Sequence, residues 1–100
     1  MSMCYKIYKR NEGYMLAVAD KDLIGKTLKG PDNSEFHVNP RFYGDEVGDE
    51  QEIAQLLQDC TSANIIGEES VGVEIKIGFV NSKNIIKIDD VPHAHVVVMN

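Results

Sequence analysis

The sequence predicts an α+β domain, a mainly antiparallel sheet of about five strands with two helices packed on one face. Three observations carry that prediction. Two β-rich runs at 4–10 and 14–19 flank Asn11-Glu12-Gly13, a short connector ending in glycine and therefore a hairpin signal. Ile53, Leu56, Leu57 and Cys60 recur at i, i+3, i+4 and i+7, which puts them on one helical face. Short β-branched runs at 34–38, 85–88 and 95–99, separated by turn residues, supply the remaining strands.

The size fits one domain spanning 1–100, since a chain of 100 residues removes roughly 60 to 70% of its unfolded surface from water. Apolar residues make up 43% and charged residues 26%, a balance that excludes both disorder and a membrane protein by composition. No apolar run approaches the roughly 18 residues of a spanning helix, and Met1-Ser2-Met3-Cys4 opens into a strand rather than an apolar leader. The expected location is the cytoplasm. The formal charge of -6 repels phosphate backbones at long range, so unspecific nucleic-acid binding is not expected. The charge is uneven, with basic residues in the first third and acids crowded at 45–52. Cys4 and Cys60 are expected to be free, buried thiols, as befits a reducing compartment.

Within the first hairpin, Tyr5, Ile7, Leu16 and Val18 are the expected core residues. Gly25-Lys26-Thr27 comes next, a sequence shared with the end of a phosphate-binding loop. The position five before Gly25 is Asp20 rather than glycine, and Gly30-Pro31 comes too soon for the helix such a loop requires, so nucleotide hydrolysis is not supported. Ser34 to Val38 alternates as a strand that Asn39-Pro40 ends, with His37 toward solvent. Phe42-Tyr43 before Gly44 is an aromatic pair expected to plug a loop onto the core. Asp49 stands three before Glu52, a capping box with Asp at its head, and opens a helix over 50–61. Val71, Val73, Ile75 and Ile77 alternate like a strand, whereas Gly67-Glu68-Glu69 and Gly78 read as the two ends of a helix. Residues 81–84 and Asp89-Asp90 are turns.

Gly25-Lys26-Thr27, Phe42-Tyr43-Gly44, Ala63-Asn64-Ile65-Ile66-Gly67-Glu68, Gly78-Phe79-Val80 and Val91-Pro92-His93-Ala94 occur in an order and spacing similar to those of an archaeal family of uncharacterised proteins, domain of unknown function 424. The resemblance covers roughly residues 4–98. It implies an archaeal cytosolic housekeeping protein, and it implies a helix over 68–78, against the alternation. It also implies Gln at the position of His95, which detracts from any role requiring both histidines.

His93 and His95 are two apart and would share a strand face, enough for two metal ligands but not the three that catalytic zinc needs; the alternative is that His93 caps the turn and His95 is half exposed. No metal and no cofactor is expected. Two functions from different classes are compatible with these residues. The first is a non-enzymatic interaction module for a protein or structured RNA partner, in the translation or RNA machinery. Its candidate binding residues are Gly25, Lys26, Tyr43, Gly44, Asn64, Gly67 and His93, with Arg41 beside them: polar or aromatic groups next to glycines that admit a partner closely. The second is a small enzyme on an anionic substrate, with His93 as acid or base and Lys26 as electrostatic clamp.

Overall fold

The computed structural model describes residues 2–79 and 84–97. Strands β1 (Met3–Arg10) and β2 (Gly13–Asp20) form the expected hairpin, in a register that pairs Arg10 with Gly13 and Met3 with Asp20. A two-residue turn, Asn11-Glu12, joins them. Two β-strands that pair locally need little chain closure, which is why this element is legible from its own residues.

The chain then leaves the main sheet. Strands β3 (Thr27–Lys29) and β4 (Glu35–His37) pair only with each other, as a separate two-stranded ribbon. Helix α1 (Pro40–Tyr43) and strand β5 (Glu46–Gly48) come next, and β5 returns to the sheet beside β1. Helix α2 (Glu50–Asp59) begins with the Asp49 Oδ1 accepting from the Glu52 amide at 2.9 Å, the expected cap, and ends before the extended Cys60, two residues short of the expected boundary. Strand β6 (Ser62–Ile66) leads into helix α3 (Glu68–Lys76), and β7 (Ile85–Ile88) and β8 (Val91–Val97) close the chain as a second hairpin over Asp89-Asp90. Both turn residues have positive φ, as a two-residue hairpin of this hand requires.

The main sheet has six strands in the order β5-β1-β2-β6-β8-β7. It is mixed, because β6 runs parallel to β2. The expectation of a mainly antiparallel sheet holds, since the other four pairings are antiparallel, but the sheet has six strands rather than five and one parallel pairing. The run 34–38 belongs to the ribbon, while β5 and β6 have no counterpart among the expected strands. Ala63, Ile65 and Ile66 are fully buried, so β6 carries no apolar-polar alternation to announce it. The expected turn over 81–83 and the strand positions Val98 and Met99 lie outside the described residues.

Both long helices pack on one sheet face, as expected. There Ile53 and Leu57 of α2, Cys60 just after it, and Val71 and Val73 of α3 meet Met3, Leu16, Val18, Ala63 and Ile65. Fully burying each large aliphatic side chain contributes roughly 1.5 to 3 kcal/mol. Of the expected hairpin core, Leu16 and Val18 are buried, Tyr5 packs at the margin, and Ile7 is 40% exposed. The opposite face is covered by the ribbon and α1, through Leu28, Val38 and Tyr43 over Ala17, Ala19 and Ile66.

The helix over 68–76 explains why the alternation at 71–77 is deceptive. Its first turn is capped from across the fold by the carboxylate of Asp20, which accepts from the Glu69 amide at 3.1 Å, the Ser70 amide at 2.8 Å and the Ser70 hydroxyl at 2.7 Å. An anion at a helix N-terminus satisfies orphan amides and opposes the helix dipole favourably. Gly67 has φ +117, and a Cβ there would lie 2.2 Å from the Asp20 Cγ, so glycine admits the cap.

Candidate functional site

Helix α1 is a single turn, and its sequence accounts for each end. Asn39 Oδ1 accepts from the Arg41 amide at 2.9 Å, Pro40 occupies the first helical position, and Gly44, at φ +79, ends the turn. A Cβ on Gly44 would meet the Tyr5 carbonyl oxygen at 2.6 Å, so the turn sits directly on β1. This geometry drives Tyr43 into the sheet, where it is 2% exposed, with the Phe42 ring edge-on to it at 4.9 Å. The expectation of an aromatic plug holds for Tyr43, and its hydroxyl emerges at a polar spot on the sheet.

That spot is Asn64. The Tyr43 hydroxyl donates to Asn64 Oδ1 at 2.8 Å, and His93 Nε2 stands 3.2 Å from the same oxygen. Asn64 on β6 is paired with His95 of β8, and its neighbour Ile66 is paired with His93, so all three polar side chains share one sheet face. An amide oxygen only accepts, which assigns the proton of His93 to Nε2 and leaves Nδ1 with its lone pair. Burial, and secondarily the charge of His95, hold the His93 pKa below its ordinary value, so the ring is neutral at pH 7. Burial raises the Tyr43 pKa well above its ordinary value, which keeps the hydroxyl a donor. Among the described residues, neither Asn64 Nδ2 nor His93 Nδ1 has a hydrogen-bond partner. The result is one unpaired donor on Asn64 and one unpaired acceptor on His93, the latter on the side of the ring away from Asn64. His93 is the third residue of β8, so it is not a turn cap.

Around this chain lies a surface that the sequence expectations do not include. Tyr8 stacks on Phe42 at 5.5 Å between ring centroids and donates to the Phe42 carbonyl oxygen at 2.6 Å, while the Lys6 ammonium donates to the Arg41 carbonyl at 3.1 Å. Both carbonyls belong to the end of α1, where helical partners run out. Lys6 Nζ is also 5.3 Å from the Tyr8 ring centroid, and the Arg10 guanidinium is 6.0 Å from it. Phe36 of the ribbon tilts against the His93 ring at 5.3 Å. The available signal is Lys6-Tyr8-Arg10, cation, aromatic, cation at alternate positions of one strand, hence on one face.

The remaining candidates are scattered. The Gly25 amide donates to the Val38 carbonyl at 2.8 Å and the Lys26 carbonyl accepts from the Val38 amide at 2.8 Å, which ties that loop to the ribbon; the Lys26 side chain is exposed and outside the Tyr43–Asn64–His93 chain. Arg41 and Gly44 line an open groove of about 1390 Å³ between β1, β5 and α1, with Lys6 and Lys21. Gly67 is buried against Asp20.

Other reactive groups are out of play. Among the described residues no set of three His, Cys, Asp or Glu could hold a metal. Cys4 and Cys60 are free and buried, and burial pushes the Cys60 thiol up to about 11, so it is no nucleophile at neutral pH. Glu74 of α3 is fully buried, and neither carboxyl oxygen has a partner among the described residues; burial raises its pKa to about 7.

The chain belongs to the family described as "Protein of unknown function (DUF424)", which it matches over residues 7–99. It is similar in fold to an uncharacterized conserved protein from Methanopyrus kandleri, known from its crystal structure, with a TM-score of 0.78, 23% identity and coverage of 96% of this chain and 90% of that one. No curated protein matches the chain. No helix among the described residues is long and apolar enough to cross a membrane.

Proposed function

We propose that this member of the DUF424 family is a non-enzymatic interaction module, whose docking face is centred on the Tyr43–Asn64–His93 chain. The observation that carries the reading is the convergence of three side chains from α1, β6 and β8 on one amide oxygen, with a donor and an acceptor left over. Such a chain positions groups; it does not activate one. A nucleophile beside His93 would be needed for acyl or phosphoryl transfer, and its hydrogen-bond partner there is an amide.

The enzymatic reading, with His93 as acid or base and Lys26 as clamp, has less support. Its one favourable feature is a neutral imidazole with an uncommitted Nδ1. Lys26 stands in the loop that leads into β3, and its side chain shares no hydrogen bond with the Tyr43–Asn64–His93 chain among the described residues. The docking reading is tested by affinity capture from native lysate with the wild-type protein and with His93→Gln and Arg41→Glu. The expected result is a stable partner retained by the wild type and lost by both variants. Recovery of no partner, protein or RNA, at low salt sinks it.

A further inference from the structure

If the Tyr43–Asn64–His93 face is a docking surface, the side chains that ring it define the chemistry of its partner. Lys6, Tyr8 and Arg10 project from the face that α1 covers. Lys6, Arg10 and Arg41 are exposed, and the ion pair found among the described residues, Lys76 with Glu50, involves none of them. Three cations without a carboxylate partner stand beside four half-buried rings, Tyr8, Phe36, Phe42 and His93. Six of the acids, Asp49, Glu50, Glu52, Asp59, Glu68 and Glu69, flank or belong to the two helices on the opposite face, while Asp45 and Glu46 line the groove beside Lys6 and Arg41. The net charge of -6 is weighted toward the helical side, and at about 0.1 M salt its field is screened within about 10 Å.

We infer that this face binds single-stranded RNA, with bases stacking on the Tyr8–Phe42 pair, phosphates passing Lys6, Arg10 and Arg41, and a ribose 2′-hydroxyl accepting from Asn64 Nδ2. The inference rests on the docking function proposed for this face. A protein or a duplex would satisfy the cations, but aromatic faces presented by a sheet meet bases only when those bases are unstacked. The polar chain selects the sugar. A 2′-hydroxyl accepts from the free amide donor of Asn64, whereas deoxyribose leaves that donor unpaired. Cation and ring side by side on β1 suit a strand whose phosphates and bases alternate along the same line.

The test is fluorescence anisotropy with the full chain and three probes of about 12 nucleotides, oligouridine, oligothymidine and a self-complementary RNA duplex. Oligouridine should bind about 5-fold more tightly than oligothymidine, the value of one well-made hydrogen bond. The duplex should bind more weakly than either. Three phosphate contacts should make the logarithm of the affinity fall with that of salt at a slope of about -2. Arg10→Glu and Tyr8→Leu should each weaken oligouridine binding about 10-fold.

The decisive variant is Asn64→Asp, which keeps an oxygen acceptor for Tyr43 and His93 while replacing the Nδ2 donor by a negatively charged acceptor. Its charge lowers affinity for RNA and DNA alike, and the ratio of the two reads the lost donor. It should abolish the preference for RNA over DNA, a ratio that a general loss of affinity would not change. Equal binding of oligouridine and oligothymidine by the wild type overturns the RNA assignment. Absence of binding to every strand at ~50 mM salt overturns the inference outright. In that case a lysate partner still lost by His93→Gln leaves the docking function standing. RNA binding indifferent to both Arg10→Glu and Asn64→Asp overturns both, because the face would then be the wrong one.

Discussion

Glu74 is the residue whose environment contradicts its chemistry most openly. It is fully buried and neither oxygen has a partner among the described residues, so burial alone raises its pKa from 4.5 to about 7. The folded state therefore holds this proton more tightly than the unfolded chain does. Its contribution is most favourable below about pH 4.5 and is lost as pH rises to about 7, for a total of roughly 3 kcal/mol. Thermal unfolding from pH 5 to 8 should show wild-type stability falling over that range, and Glu74→Gln should flatten the fall and melt higher at pH 8. A wild-type profile no steeper than the variant's would sink this account. His93 works with the opposite sign, because its folded pKa is depressed: the stability it gives is present above pH 6.5 and lost as pH falls through its folded value. Nitrogen NMR should find the Nε2–H tautomer, titrating below pH 6.5; an Nδ1–H tautomer would break the assigned chain.

Among the elements, α3 depends on a cap supplied by another strand. Asp20→Ala would leave two amides and a hydroxyl of the first turn unpaired in a buried position, at a cost of about 3 kcal/mol, while Asp20→Asn keeps an acceptor and should cost less than half of that. Gly67→Ala should also destabilise, because its Cβ and the Asp20 carboxyl claim the same space. The two effects should be non-additive in urea unfolding. Elements defined by their own residues are legible in the sequence: the β1–β2 hairpin from its glycine-ended connector, and α2 from its Asp49 cap and apolar stripe. The nature of α3 is not, since its cap lies 49 and 50 residues away in sequence and Val71 to Ile77 mimic a strand. Strand β6 is illegible for another reason. Buried on both faces, it shows five residues without period, and so resembles the approach to a helix. The site is legible in kind and not in arrangement: Tyr43, Asn64 and His93 stand out as residue types, but the oxygen they share exists only in the assembled sheet.

In the molecule as a whole charge is divided along the chain. Residues 1–44 carry seven basic and five acidic residues, one of the acids being the buried Asp20, whereas residues 45–100 carry eleven acidic and three basic. The first group builds β1, β2, the ribbon and α1; the second builds both long helices together with β5, β6, β7 and β8. Reversing the helical charges, as in Glu50→Lys with Glu52→Lys, should leave affinity at the Tyr8–Phe42 face within about 2-fold at ~0.1 M salt, since α2 packs on the other face of the sheet and salt weakens the interaction across it. A much larger gain would mean that the whole-molecule charge, and not the local face, governs association.

The parallel pairing of β2 with β6 has a consequence for how the protein holds together. Each hairpin, β1–β2 and β7–β8, closes locally, and β6 is the seam that joins them, bonded to β2 on one side and β8 on the other. Asn64 sits in that seam, and the Tyr43 and His93 bonds fasten it from both flanks. A ligand that engages Asn64 and His93 together therefore acts as a clasp across the joint. By mass action it would protect the seam from opening by RT ln(1 + [L]/Kd), about 2.7 kcal/mol at a hundredfold excess over Kd. Hydrogen exchange should register that protection first at the amides of β6 and β8, ahead of the hairpin turns.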